Sequence, residues 1–129
     1  MTIETLDKYR GLVSEMKAMQ LEIDTMYDVR KSPTGKASTG SSGPGDPTGR
    51  IAMRIIEKKE HLLAKQEEWS KAALEIEQWL ATVDDPEICS IVRWHYLLGF
   101  SWKRTSAQVY GRSDYYLARK RIYRFFGKE

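Results

Sequence analysis

"DDPEICSIVRWHYLLGFSWKRTSAQVYGRSDYYLARKRIYRF", residues Asp84 to Phe125, decides the fold. Asp85 can cap a helix, Pro86 suits the first helical position, where its missing N–H is not needed, and Glu87 favours the positive end of the helix dipole. Ile88, Ile91, Val92 and His95 or Tyr96 then form an inner stripe, and Gly99 suits the left-handed residue that ends such a helix. Ser101 caps a second helix, which runs through Trp102, Thr105, Ser106 and Val109 until Gly111 breaks it. Ser113 is the expected cap of a third, whose inward stripe is Tyr115, Ala118, Ile122, Phe125 and Phe126. The opposite side of that third helix carries Tyr116, Lys120, Tyr123 and Arg124, with Arg119 and Arg121 on its flanks.

Upstream, "KSPTGKASTGSSGPGDPTG" (Lys31 to Gly49) holds three of the chain's four prolines and five of its nine glycines. Its composition offers almost no apolar surface to offset the cost of ordering the backbone, so a flexible loop over 31–49 is expected. Before it, Leu6, Tyr9, Val13, Met16, Gln20, Ile23 and Tyr27 recur in steps of three and four. After it, Ala52, Ile55, Lys59, Leu62, Gln66, Trp69, Ala73, Ile76, Leu80 and Val83 do the same. This is coiled-coil spacing, and it predicts two long helices, the first about 40 Å in length, paired with each other or with a second copy of the chain. Trp69 and Trp79 are expected to pack on the second of them, and Trp102 in the core of the C-terminal part. Trp94, off its stripe, either packs between elements or anchors a partner. The expected architecture is all-α: a long two-helix coiled-coil hairpin over 1–83 with a Gly/Ser/Pro loop, then a three-helix helix-turn-helix domain over 84–129.

Charge points to a partner for the second part. Residues 1–80 hold 12 basic and 13 acidic side chains and residues 81–129 hold 9 and 5, so an overall +3 divides into −1 and +4. A basic segment interleaved with aromatics suits a polyanion, with double-stranded DNA the foremost candidate. In a helix-turn-helix the last helix enters the major groove while the preceding one crosses the backbone. Tyr116, Arg119, Lys120, Tyr123 and Arg124 are therefore the candidate reading face, since Lys and Arg pair with phosphate or guanine and tyrosine rings pack on thymine methyls or sugars. Arg112 and Ser113 lie at the end that goes deepest. Asp114 stabilises the helix N-terminus, and Lys103 and Arg104 are assigned to phosphates.

The same stretch resembles region 4 of sigma-70 factors. Taken with the long helices and the Ser/Gly-rich loop, the layout resembles phage ArpU- and RinA-type late transcriptional regulators. His95 and Tyr96 match the usual Arg-Tyr before the turn, Gly99 the turn glycine, Ser101 and Trp102 the Ser-Trp helix start, and Val109 the apolar residue closing that helix. Thr105 and Ser106 depart from a typical Ile-Ala pair, and Tyr110 stands where a glycine is usual, with Gly111 one residue later. The resemblance implies a late-gene activator of phage or bacterial origin that meets promoter DNA, with host RNA polymerase as a second candidate partner; the absence of a secretory signal or membrane span points to the cytoplasm.

Other classes receive less support. The single Cys89 has no disulfide partner and is expected to pack as a small hydrophobe. His61 and His95 lack a second ligand at helical spacing, so neither a metal nor another cofactor is expected. The sequence has no phosphate-cradling Gly motif and no nucleophile elbow, so an enzyme is not expected. With no apolar run of membrane-spanning length, no membrane partner is expected. Two alternatives stand beside the regulator: a small terminase-like subunit, a type that combines a helix-turn-helix with coiled-coil helices in rings, and a helical adaptor whose basic end meets an acidic protein.

Overall fold

The computed structural model describes residues 1–31 and 47–128. They form five α-helices and no strand: α1 (Ile3–Lys31), α2 (Pro47–Leu80), α3 (Pro86–Ile91), α4 (Trp102–Tyr110) and α5 (Tyr115–Phe125). α3 runs on into a π-helical turn over Val92–Leu97. The chain is all-α, as its sequence periodicity requires. Of the loop expected over 31–49, residues 32–46 lie outside the described residues. Its edges are helical: Lys31 ends α1, and Pro47 opens α2 at a position where proline's fixed φ favours a helix.

The chain divides into two compact units, Met1–Val13 with Trp69–Glu129, and Ser14–Glu68. In the second, Ile23, Ile55 and Leu62 are buried, with Met16, Met19, Met26, Tyr27 and Ile51 against them. Lys65 pairs with Glu15 and Lys58 with Glu22, each at 3.1 Å, and the Lys59 ammonium donates to the Tyr27 hydroxyl at 2.6 Å. Numbers rise along α1 as they fall along α2, so these segments run antiparallel. Gln20, expected on the seam, is exposed and donates to Asp24 at 2.9 Å, while Met19 packs instead. A helix of 3.6 residues per turn drifts off a 3.5-residue repeat, and the apolar neighbour takes the place.

In the first unit the seam residues of both long helices, Leu6, Tyr9, Ile76 and Leu80, join Ile88, Ile91, Val92, Tyr96, Ala118 and Ile122 in one buried core. Residues 69–83 thus pack with the helices that follow them, whereas the sequence pattern places the boundary at 83. Trp69 donates its indole N–H to the Tyr9 hydroxyl at 2.8 Å, and Trp79 stacks on Phe126 with centroids 5.7 Å apart. Both tryptophans are packing residues. Cys89 is half-buried against the same core.

Local chemistry sets the short helices. The Asp85 carboxylate accepts from the N–H groups of Glu87 (3.0 Å) and Ile88 (3.4 Å), and the Ser101 hydroxyl accepts from that of Arg104 at 3.2 Å. Gly99 and Gly111 sit at φ +78° and +73°, the left-handed conformation that ends a helix at low cost only for glycine. A methyl group on Gly111 would meet no atom within 4 Å, so backbone strain alone sets the penalty of substitution. Gly111→Ala is expected to destabilise the fold by about 1–2 kcal/mol in denaturant unfolding, and Gly111→Asn by less.

Two expectations for α5 are corrected. Its cap is Asp114, which accepts from the Tyr116 N–H at 2.8 Å, and Ser113 is exposed. Tyr115 and Phe125, expected on the inward stripe, are 41% and 40% exposed, and Ala118 and Ile122 carry the burial. Tyr115 stands in the first turn, where no preceding turn covers it.

Candidate nucleic-acid interface

The α4–α5 pair is joined by a bond the sequence does not advertise. Ser106 is fully buried and its hydroxyl accepts from the Ala118 N–H at 3.0 Å. Ala118 is the fourth residue of α5, so the bond is made in the first turn of that helix. The Ser106 hydroxyl thus ties the start of α5 to the middle of α4.

A second tie fixes α5 against the start of α3. Arg121 turns inward, pairing with Asp85 and donating from Nε to Glu87 at 3.2 Å. Glu87 also accepts from the Tyr110 hydroxyl at 3.0 Å. Burial, then the neighbouring Glu87 carboxylate, pushes the Tyr110 hydroxyl up to about 12. One acidic cap therefore receives groups from α4 and α5 and holds them at fixed angles. Arg121 belongs to the scaffold, although it sits in an unbroken run of Arg119, Lys120 and Arg121.

The candidate contact residues fall into two sets. Tyr116, Lys120 and Arg124, spaced by four, are exposed along one side of α5. Lys103 and Arg104 are exposed at the start of α4, and Arg112 and Ser113 in the turn before α5. Arg104 lies over the Phe100 ring at 3.9 Å, and Lys120 lies 5.7 Å from the Tyr116 ring centre. The second set is partly absorbed by packing. Tyr123 is half-buried against the core, and Arg119 is half-buried, lying 4.4 Å from the Tyr123 ring and 5.9 Å from that of Tyr115. Tyr115, a core residue by sequence pattern, instead stands beside Tyr116, ring centres 4.9 Å apart and nearly perpendicular.

Behind this surface lies His95. It is buried, its ring stacks on Trp102 at 3.5 Å, and Nδ1–H donates to the Phe100 carbonyl at 2.7 Å. The tautomer follows from that acceptor. Arg10 reaches the same turn from α1, donating to the carbonyls of His95 (3.3 Å) and Gly99 (3.4 Å). Burial, then the nearby Arg10 charge, depresses the imidazole to about 4, against a smaller upward pull from the Phe100 carbonyl. His95 is thus a neutral structural ring. Trp94 packs on Phe100 with centroids 5.0 Å apart.

Among the described residues no group of three or more His, Cys, Asp or Glu is placed to hold a metal ion, and no helix is long and apolar enough to cross a membrane. Comparison with protein-family models, curated proteins and solved structures finds no match to the chain.

Proposed function

We propose that α3, α4 and α5 act as a helix-turn-helix of the sigma-70 region 4 type, and that the chain is a sequence-specific DNA-binding transcriptional regulator rather than an enzyme. The observation that carries the proposal is the exposed row of Tyr116, Lys120 and Arg124 on a short helix fixed from behind by Arg121 and Ser106. A charged row on a mobile tail would attract any polyanion; on a helix held by two ties, one buried and one half-buried, it can present the same donors at the same spacing to each duplex. Lys103 and Arg104 supply phosphate contacts from α4, and Arg112 and Ser113 approach beside the start of α5.

In this reading the protein works in a bacterial host's cytoplasm as a phage or prophage late-gene activator that contacts host RNA polymerase, as the resemblance to ArpU- and RinA-type regulators implies. The long helices provide for self-association. Met53, Ile56 and Leu63, three or seven residues apart on α2, are each more than half exposed, an apolar ridge that a homodimer would cover. Selection of binding sites from a random duplex pool at near-physiological salt tests the proposal. A defined motif whose affinity falls steeply with added salt is expected. Recovery of no enriched sequence together with no retained duplex would refute it.

A further inference from the structure

We infer that Tyr116 is a specificity-determining residue that reads the C5-methyl of a thymine in the major groove, with Tyr115 fixing its ring. The inference rests on the DNA-binding reading above. Tyr116 is the first member of the exposed row on α5, is 55% exposed and takes no part in the buried core. Asp114 shortly before it is occupied in capping the helix, so this carboxylate is bound to the backbone instead of being held out towards a cytosine amino group. Tyr115, itself 41% exposed, sets its ring nearly perpendicular to that of Tyr116 at 4.9 Å, the edge-to-face arrangement that aromatic pairs favour. Arg119 lies near the Tyr115 ring and Lys120 near that of Tyr116, so each ring has a cation one turn further along.

Phosphate neutralisation at this end is already supplied by cations, and what the two tyrosines add is apolar ring surface. The first turn of the recognition helix is where side chains approach base edges. Among the four bases, only thymine offers a methyl group in the major groove. Covering that methyl with the Tyr116 ring removes apolar surface of both from water.

The test uses the full chain and the best duplex recovered by selection, synthesised with thymine or with deoxyuridine, which differ by that methyl alone. Replacing the critical thymine by deoxyuridine is expected to weaken binding about fourfold, the equivalent of one buried methyl group. Tyr116→Phe should keep this difference, since it keeps the ring, and Tyr116→Ala should bind both duplexes equally. Equal affinity of the unaltered protein for the two duplexes overturns the inference while leaving DNA recognition standing. So does a loss in Tyr116→Phe as large as in Tyr116→Ala, which would identify the hydroxyl, on a phosphate, as the interacting group. Absence of salt-sensitive binding to any duplex overturns the DNA-binding reading and the inference with it.

Discussion

Lys120→Ala and Arg124→Ala, made together, are expected to remove most of the preference for the cognate sequence while leaving the fold intact. Both residues are exposed on the same side of α5. Removing a side chain that bonds a base edge costs about 1–3 kcal/mol, so removing two should weaken cognate binding at least about thirtyfold and affect unrelated duplexes much less. The matched control is Lys103→Ala with Arg104→Ala. Phosphate contacts carry no sequence information, so this pair should weaken cognate and unrelated duplexes alike and flatten the slope of log affinity against log salt by about 2. The Arg104 substitution also removes its stacking on Phe100, which at an exposed site contributes about 0.5–1 kcal/mol of stability. Titrations of both variants on both duplexes at several salt concentrations decide the matter. Identical behaviour of the two variants would remove the distinction between a reading helix and a supporting one.

Acid is expected to unfold the first unit through His95. The folded imidazole titrates near 4 against an ordinary 6.5, so between these values the unfolded chain binds the extra proton and the folded one does not. Stability is therefore full above pH 6.5, falls as the pH drops through this window and has lost the whole contribution below the folded value. At about 1.4 kcal/mol per pH unit the loss approaches about 3 kcal/mol by pH 4. Carboxylates titrate in the lower part of the same window, so the informative quantity is a difference between variants. His95→Phe keeps a ring against Trp102 but has no proton to bind, and it should cost stability at neutral pH because the Phe100 carbonyl loses its donor. Its stability should nevertheless decline less steeply than that of the unaltered protein from pH 6.5 to 4. Parallel curves in urea unfolding would mean that the imidazole becomes charged within the fold.

Much of the C-terminal architecture is legible because its signals are local. Asp85, Ser101, Gly99 and Gly111 act on backbone groups within a few residues, so their roles follow from residue type and position. The departures come where the competition is between neighbours or with distant partners. Ser113 and Asp114 are both good caps, and the choice depends on where the turn after Gly111 delivers the chain. Periodicity places the face of α5 slightly rotated from its true position, because Arg121 is charged and groups with the solvated residues. Its partners, Asp85 and Glu87, lie more than thirty residues away and cannot be found from helical spacing. The bond from Ala118 to Ser106 is likewise a product of packing. Charge and periodicity pick out the exposed positions Lys103, Arg112, Tyr116, Lys120 and Arg124, because they see which residues avoid the core but not which are already engaged.

The composition of the first unit also bears on how the chain is made. Tyr9 meets Trp69, Arg10 meets Gly99, and Glu4 meets Lys128 across 124 positions of sequence, so the partners of the start of α1 are synthesised well after it. Ser14–Glu68 contains both halves of its own core and can pair its helices on the ribosome as soon as residue 68 has emerged. The core around Leu6 and Tyr9 is complete only once α5 has been made, a delay of roughly 5 to 20 s at ordinary elongation rates, with part of its apolar surface open meanwhile. A nascent chain stalled before Ile122 would therefore carry a folded middle and an unfinished beginning, and only the emergence of α5 would complete the surface proposed to meet DNA.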